Sequence, residues 1–92
     1  MQLIDFNIST NELRSDLVMQ VEFNAKRHFI SELVITDSQQ LILKSNTHLP
    51  ALTLAQFNTR CRKLDSHVSL YYQDSKHPLF GYRLDGKYIL LG

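Results

Sequence analysis

Residues 79–91 read Leu79-Phe80-Gly81-Tyr82-Arg83-Leu84-Asp85-Gly86-Lys87-Tyr88-Ile89-Leu90-Leu91. Asp-Gly between two alternating runs is the strongest short-range signal for a β-hairpin, because the tight turn it permits matches strand twist. Taking Asp85-Gly86 as the loop pairs Leu84 with Lys87, Arg83 with Tyr88, Tyr82 with Ile89 and Phe80 with Leu91. One face then carries Phe80, Tyr82, Leu84, Ile89 and Leu91, and the other Leu79, Gly81, Arg83, Tyr88 and Leu90. A half-exposed antiparallel sheet is apolar on one face only. Two apolar faces need cover on both sides, from the rest of the chain or from another chain.

The flanking sequence supplies the remaining elements. Val68, Leu70 and Tyr72 alternate with polar neighbours, which predicts a strand just before the hairpin. Before it, Thr53-Leu54-Ala55-Gln56 forms a capping box, and Leu54, Phe57, Cys61 and Leu64 make one apolar stripe, predicting a helix over 53–65. Alternation over 28–36 predicts one strand, Leu41 to Lys44 another, and Ile4, Phe6 and Ile8 a first strand over 2–8. Ser9-Thr10-Asn11-Glu12 matches a second capping box, so a helical turn at 10–15 is expected before a strand at 17–25, with one helix over 10–24 as the alternative.

The fold expected is α+β, a mostly antiparallel sheet in the order β-β-β-β-α-β-β-β. Seven strands in 92 residues is dense, so the sheet either curls into a half-barrel or splits into two leaves. No internal repeat or linker is evident. Glycine is confined to Gly81, Gly86 and Gly92, so earlier turns must use Asn, Asp and Ser, as at Asp37-Ser38-Gln39-Gln40.

Composition bounds the function classes. Leu, Ile, Val and Phe make up 30 of the 92 residues, enough for a single collapsed domain and too many for a disordered chain. The formal net charge is +1, so no global field steers the chain to nucleic acid or membrane. The longest apolar runs are three residues, such as Leu41-Ile42-Leu43, far short of the roughly 20 a spanning helix needs. Met1-Gln2-Leu3-Ile4-Asp5 lacks the basic region of a secretory signal, and Cys61 is a lone thiol, so a cytoplasmic location is expected.

No motif announces chemistry. The first 80 residues contain no glycine, so neither GxGxxG nor a Walker A loop can be built there. Cys61 with His67 and Asp65 has the composition of a nucleophile–base pair, but Cys61 lies on the apolar stripe, where burial raises a thiol pKa. His28, His48, His67 and His77 show no metal-ligand spacing. No metal site, cofactor or catalytic residue is therefore assigned. Lys26 and Arg27, with Arg60, Arg62 and Lys63 at the helix end, would form a nucleic-acid patch if they converged. Arg60 and Arg62 leave a helix roughly 160° apart, and cations in a last turn also serve the helix dipole.

The reading that follows is a non-enzymatic interaction module, self-associating as a dimer through Phe80, Tyr82, Tyr88, Ile89 and Leu91. Tyrosines within an apolar hairpin suit an interface that is partly wet. A weak nucleic-acid binder using the five basic residues is the alternative. A small-molecule-binding domain with a pocket between helix and sheet stands third.

Overall fold

A computed structural model describes residues 1–37 and 39–92. Its elements are α1 (Leu3–Thr10), β1 (Val18–Phe23), β2 (Lys26–Phe29), β3 (Glu32–Ile35), β4 (Gln40–Lys44), α2 (Leu54–Cys61), β5 (Ser69–Tyr72), β6 (Tyr82–Asp85) and β7 (Tyr88–Leu91). The protein is α+β, and its strands divide into two leaves, β2-β1-β7-β6 and β3-β4-β5. The β1–β7 and β4–β5 pairings are parallel, and the other three are antiparallel. Apolar side chains from both leaves and both helices join one core, including Leu3, Phe6, Met19, Val21, Leu41, Leu43, Phe57, Leu70, Ile89 and Leu91.

Four sequence expectations need correction. Residues 3–8 belong to a helix that Gln2 caps, not to a strand: Leu3, Phe6 and Thr10 form its buried stripe, while Ile8 is 70% exposed. The Ile4-Phe6-Ile8 alternation was coincidental beside that helical spacing. Ser9 and Thr10 consequently end a helix instead of opening one, and the Thr10 hydroxyl donates to the Phe6 carbonyl at 2.7 Å. The expected strand over 28–36 is two strands in different leaves, because the chain crosses at Ile30-Ser31. There the Ser31 hydroxyl and the Asn46 backbone exchange hydrogen bonds. In the hairpin, Asp85 pairs with Tyr88 and Tyr82 with Leu91, so Gly86-Lys87 is the loop and the register moves by two residues. Gly86 supplies the positive φ of 59°, at the first central position of the turn. A two-residue shift keeps every side chain on its expected face.

The strand at 17–25 is present as β1, and Leu41–Lys44 lies within β4. The helix after Thr53 is capped as expected: the Gln56 N–H donates to the Thr53 hydroxyl at 3.2 Å and Gln56 reaches back. It ends at Cys61, short of 65, as the Leu64 N–H bonds the Cys61 carbonyl and tightens the chain into a turn. Ser38 in the expected turn at 37–40 lies outside the described residues.

The structure also contains a repeat that the sequence reading did not find. Leu3 N–H donates to Val68 O and Leu54 N–H to Leu17 O, both at 2.8 Å; Met19 N–H donates to Leu52 O and Leu70 N–H to Met1 O, both at 2.9 Å. Each partner differs from its counterpart by 51 positions, and the bridges Gln2↔Ser69 and Val18↔Thr53 obey the same shift. The reciprocity is that of an approximate two-fold axis. The counterparts Phe6 and Phe57 meet each other edge-on at 5.3 Å. One unit is α1-β1-β2-β3-β4; the other is α2-β5, a short bridge at Pro78, then β6-β7. Each leaf is assembled from both units, so the halves are interlocked. Five identities carry the relation in sequence: Leu3/Leu54, Phe6/Phe57, Asn7/Asn58, Leu13/Leu64 and Ser15/Ser66.

Candidate interaction surfaces

The hairpin residues singled out from the sequence separate in space. Ile89 and Leu91 point inward and are fully buried, so they build the core and leave no surface for a partner. Tyr82 is half-buried: its ring meets Phe6 edge-on at 5.6 Å and its hydroxyl donates to the Ser9 carbonyl on α1 at 3.1 Å. Tyr88 is half-buried on the outward face, near Phe29 at 6.2 Å between ring centroids and with the Lys87 ammonium 5.4 Å from its ring. Phe80, ahead of β6, is 78% exposed.

The second apolar face is closed by the chain itself. Leu90 points away from the core yet is buried, flanked by Gln20 on β1 and Arg83 on β6. Ion pairs span this face, Arg27–Asp85 at 2.6 Å and Arg83–Glu22 at 3.2 Å. The aliphatic stems of such arginines shield apolar surface while their heads stay in water.

The five basic residues do not form one patch. Arg27 is paired with Asp85. Arg60 borders a groove beside β3, whereas Arg62 borders another between α1 and α2. Lys26 instead joins His28 and Lys44 in a groove of about 490 Å³ that also includes Ser45 and Tyr72 and has no carboxylate in its lining. The Tyr72 ring stacks on His28 at 6.0 Å. Lys44 went unnoticed in the sequence because its partners arrive from distant segments.

The nucleophile–base pairing is absent. Burial pushes the Cys61 thiol up to about 12. Asp65 accepts from the His67 backbone N–H at 2.9 Å, not from its imidazole. Just past β5, Asp74 takes the Lys76 backbone N–H and the His77 ring at 2.8 Å, and these bonds hold its carboxyl below the ordinary range. Among the described residues, no three of His, Cys, Asp and Glu gather where they would hold a metal ion. Among the described residues, no helix is long and apolar enough to cross a membrane.

What remains are the leaf edges. β3 exposes Val34 at 39% and Ile35 at 48%, and β6 exposes Leu84 at 50%. Beside β3 lies a groove of about 360 Å³ lined by Leu33, Leu49, Pro50, Leu52, Glu32 and Arg60 among others. An open edge with apolar side chains presents unpaired backbone groups ready for another strand. No protein-family model, curated protein or solved structure matches this chain significantly.

Proposed function

We propose that this chain is a non-enzymatic protein-interaction module that self-associates. The observation that carries the reading is the set of large apolar side chains exposed along two strand edges: Val34 and Ile35 on β3, Leu84 on β6, and Phe80 just before it. Over Leu90, by contrast, the protein covers its apolar surface with ion pairs and stems. Edges left uncovered beside such protection are sites where added strands or side chains bind. Within the C-terminal hairpin, Phe80 and Leu84, with the rim of Tyr82, are the side chains left exposed for contact. The buried thiol with its raised pKa argues against covalent catalysis by Cys61 and fits a reducing, cytoplasmic setting. Sedimentation velocity tests the reading. Association at micromolar concentration, weakened by substitutions on an exposed edge, is expected. A monomer whose behaviour ignores all edge substitutions would sink it.

A second reading has its own observation, the groove that gathers Lys26, His28 and Lys44 without a carboxylate. It supports weak binding of a polyanion such as nucleic acid, dominated by counterion release and therefore lost steeply with salt. Retention on heparin at low salt that falls in Lys26→Ala and Lys44→Ala is its expected result. No retention would remove it.

A further inference from the structure

We propose that β3 is the self-association edge, at which two copies of this chain pair antiparallel about Val34. The inference rests on the reading of the chain as a self-associating module, and it places the contact on the leaf opposite the hairpin.

The internal repeat provides the comparison. Ser31 N–H donates to Lys44 O as Phe80 N–H donates to Gly92 O, which makes β3 and β6 equivalent edges, 49 positions apart. Their protection differs. On β6, Arg83 pairs with Glu22 and Asp85 with Arg27, and charge along an edge discourages strand addition. At the matching positions β3 carries Val34 and Thr36. Tyr82 spans the space between β6 and α1, bonding the Ser9 carbonyl. Its counterpart Leu33 is shorter, the counterpart of Ser9 is Arg60, and the groove of about 360 Å³ stays open between them. One unit sets paired charges on its edge strand and fills its groove with Tyr82, and the other carries Val34 at the matching position and keeps its groove open.

The occupant follows from the geometry of the strand. Thr36 N–H donates to Gln40 O at 2.9 Å, so ladder alternation aims the backbone groups of Leu33 and Ile35 away from β4. A two-fold axis at Val34 sets Leu33 opposite Ile35 of the second copy, where each N–H meets a carbonyl. Both residues face the groove side, so the half-exposed Ile35 of one copy sits over the groove of the other. Val34 meets its own mate on the outer face, next to Ile42 of β4. Glu32, held by Asn46 at 2.7 Å, falls opposite Thr36 and meets no like charge. Knob and groove lie at the same edge, Ile35 on β3 and the groove beside it, which is the self-complementarity an isologous contact needs. Pairing joins two three-stranded leaves into one continuous six-stranded sheet.

The test uses the full chain. In sedimentation velocity, Val34→Arg, which copies the residue of the other unit, is expected to weaken dimerisation at least tenfold with an unchanged far-UV circular dichroism spectrum. Val34→Cys is expected to form a covalent dimer under mild oxidation, because non-hydrogen-bonded antiparallel neighbours place Cα atoms about 4.5 Å apart. Leu84→Cys on the protected edge is not, and native Cys61 is buried. A dimer that survives Val34→Arg but dissociates in Leu84→Asp overturns the β3 contact and leaves the hairpin reading standing. A wild-type chain that stays monomeric overturns both. A monomer that instead captures added extended peptides at β3, lost in Val34→Arg, replaces the second copy as occupant and overturns the proposal.

Discussion

At the scale of single residues, burial decides what chemistry is open. The Cys61 thiol stays protonated in the fold to about pH 12, whereas an ordinary thiol ionises near 9. The native state therefore holds its proton through that interval while the unfolded chain releases it. Stability is expected to fall as pH rises from 9 towards 12, and Cys61→Ala to flatten that slope in urea titrations. Iodoacetamide should modify Cys61 slowly in the native protein and readily in urea. Gln20 shows the opposite problem, a buried side chain whose Oε1 has no hydrogen-bond partner among the described residues. An unsatisfied buried polar atom costs about 1–3 kcal/mol. Gln20→Met is thus expected to raise the urea midpoint, and a lowered midpoint would refute this reading. The stripe position of Cys61 was legible in sequence, since its neighbours Phe57 and Leu64 set the period. Gln20 was not, because Leu90 and the ion pairs around it come from three other strands.

Elements were legible where a local signal had no competitor. Thr53 with Gln56 marked the start of α2, and Thr53→Ala is expected to lose about 1 kcal/mol of stability by chemical denaturation. At α1 the cap is Gln2 with Asp5, a weaker box whose first residue is not a usual N-cap. Alternation of Ile4, Phe6 and Ile8 then outweighed the helical spacing of Leu3 and Phe6. The repeat would have resolved the choice, because Leu-x-x-Phe-Asn opens both 3–7 and 54–58, and the second copy is plainly helical. In the hairpin, a loop of Asp85-Gly86 and a loop of Gly86-Lys87 place the same side chains on the same faces. The choice falls to the positive φ of Gly86 and to pairing further along the leaf. Gly86→Ala is expected to destabilise the protein by about 1 kcal/mol, since a Cβ resists that φ even though open space surrounds it.

At the scale of the molecule, interlocking of the two units governs stability. β1 pairs with β7 and β4 with β5, so neither leaf exists without strands from both units. Unfolding should be a single transition, with tyrosine fluorescence and far-UV circular dichroism coinciding and the slowest amides of both leaves exchanging together. Separate transitions for the two leaves would contradict it. Phe6→Ala, at the contact between units, is expected to cost about 3–5 kcal/mol, much of what a domain this size possesses. The sequence by itself determined the composition of the core, the capped helix α2, the hairpin and its faces, because caps, turns and periodicity act over a few residues. Only the tertiary structure decided that 3–8 coils, that 28–36 divides between leaves, and that one edge is guarded while its twin is open. Those outcomes depend on partners dozens of residues away, and the expected need for an outside partner moved with them. The hairpin's second face is covered at Leu90 from within, and the exposed apolar pair of the opposite leaf is Val34 and Ile35 on β3.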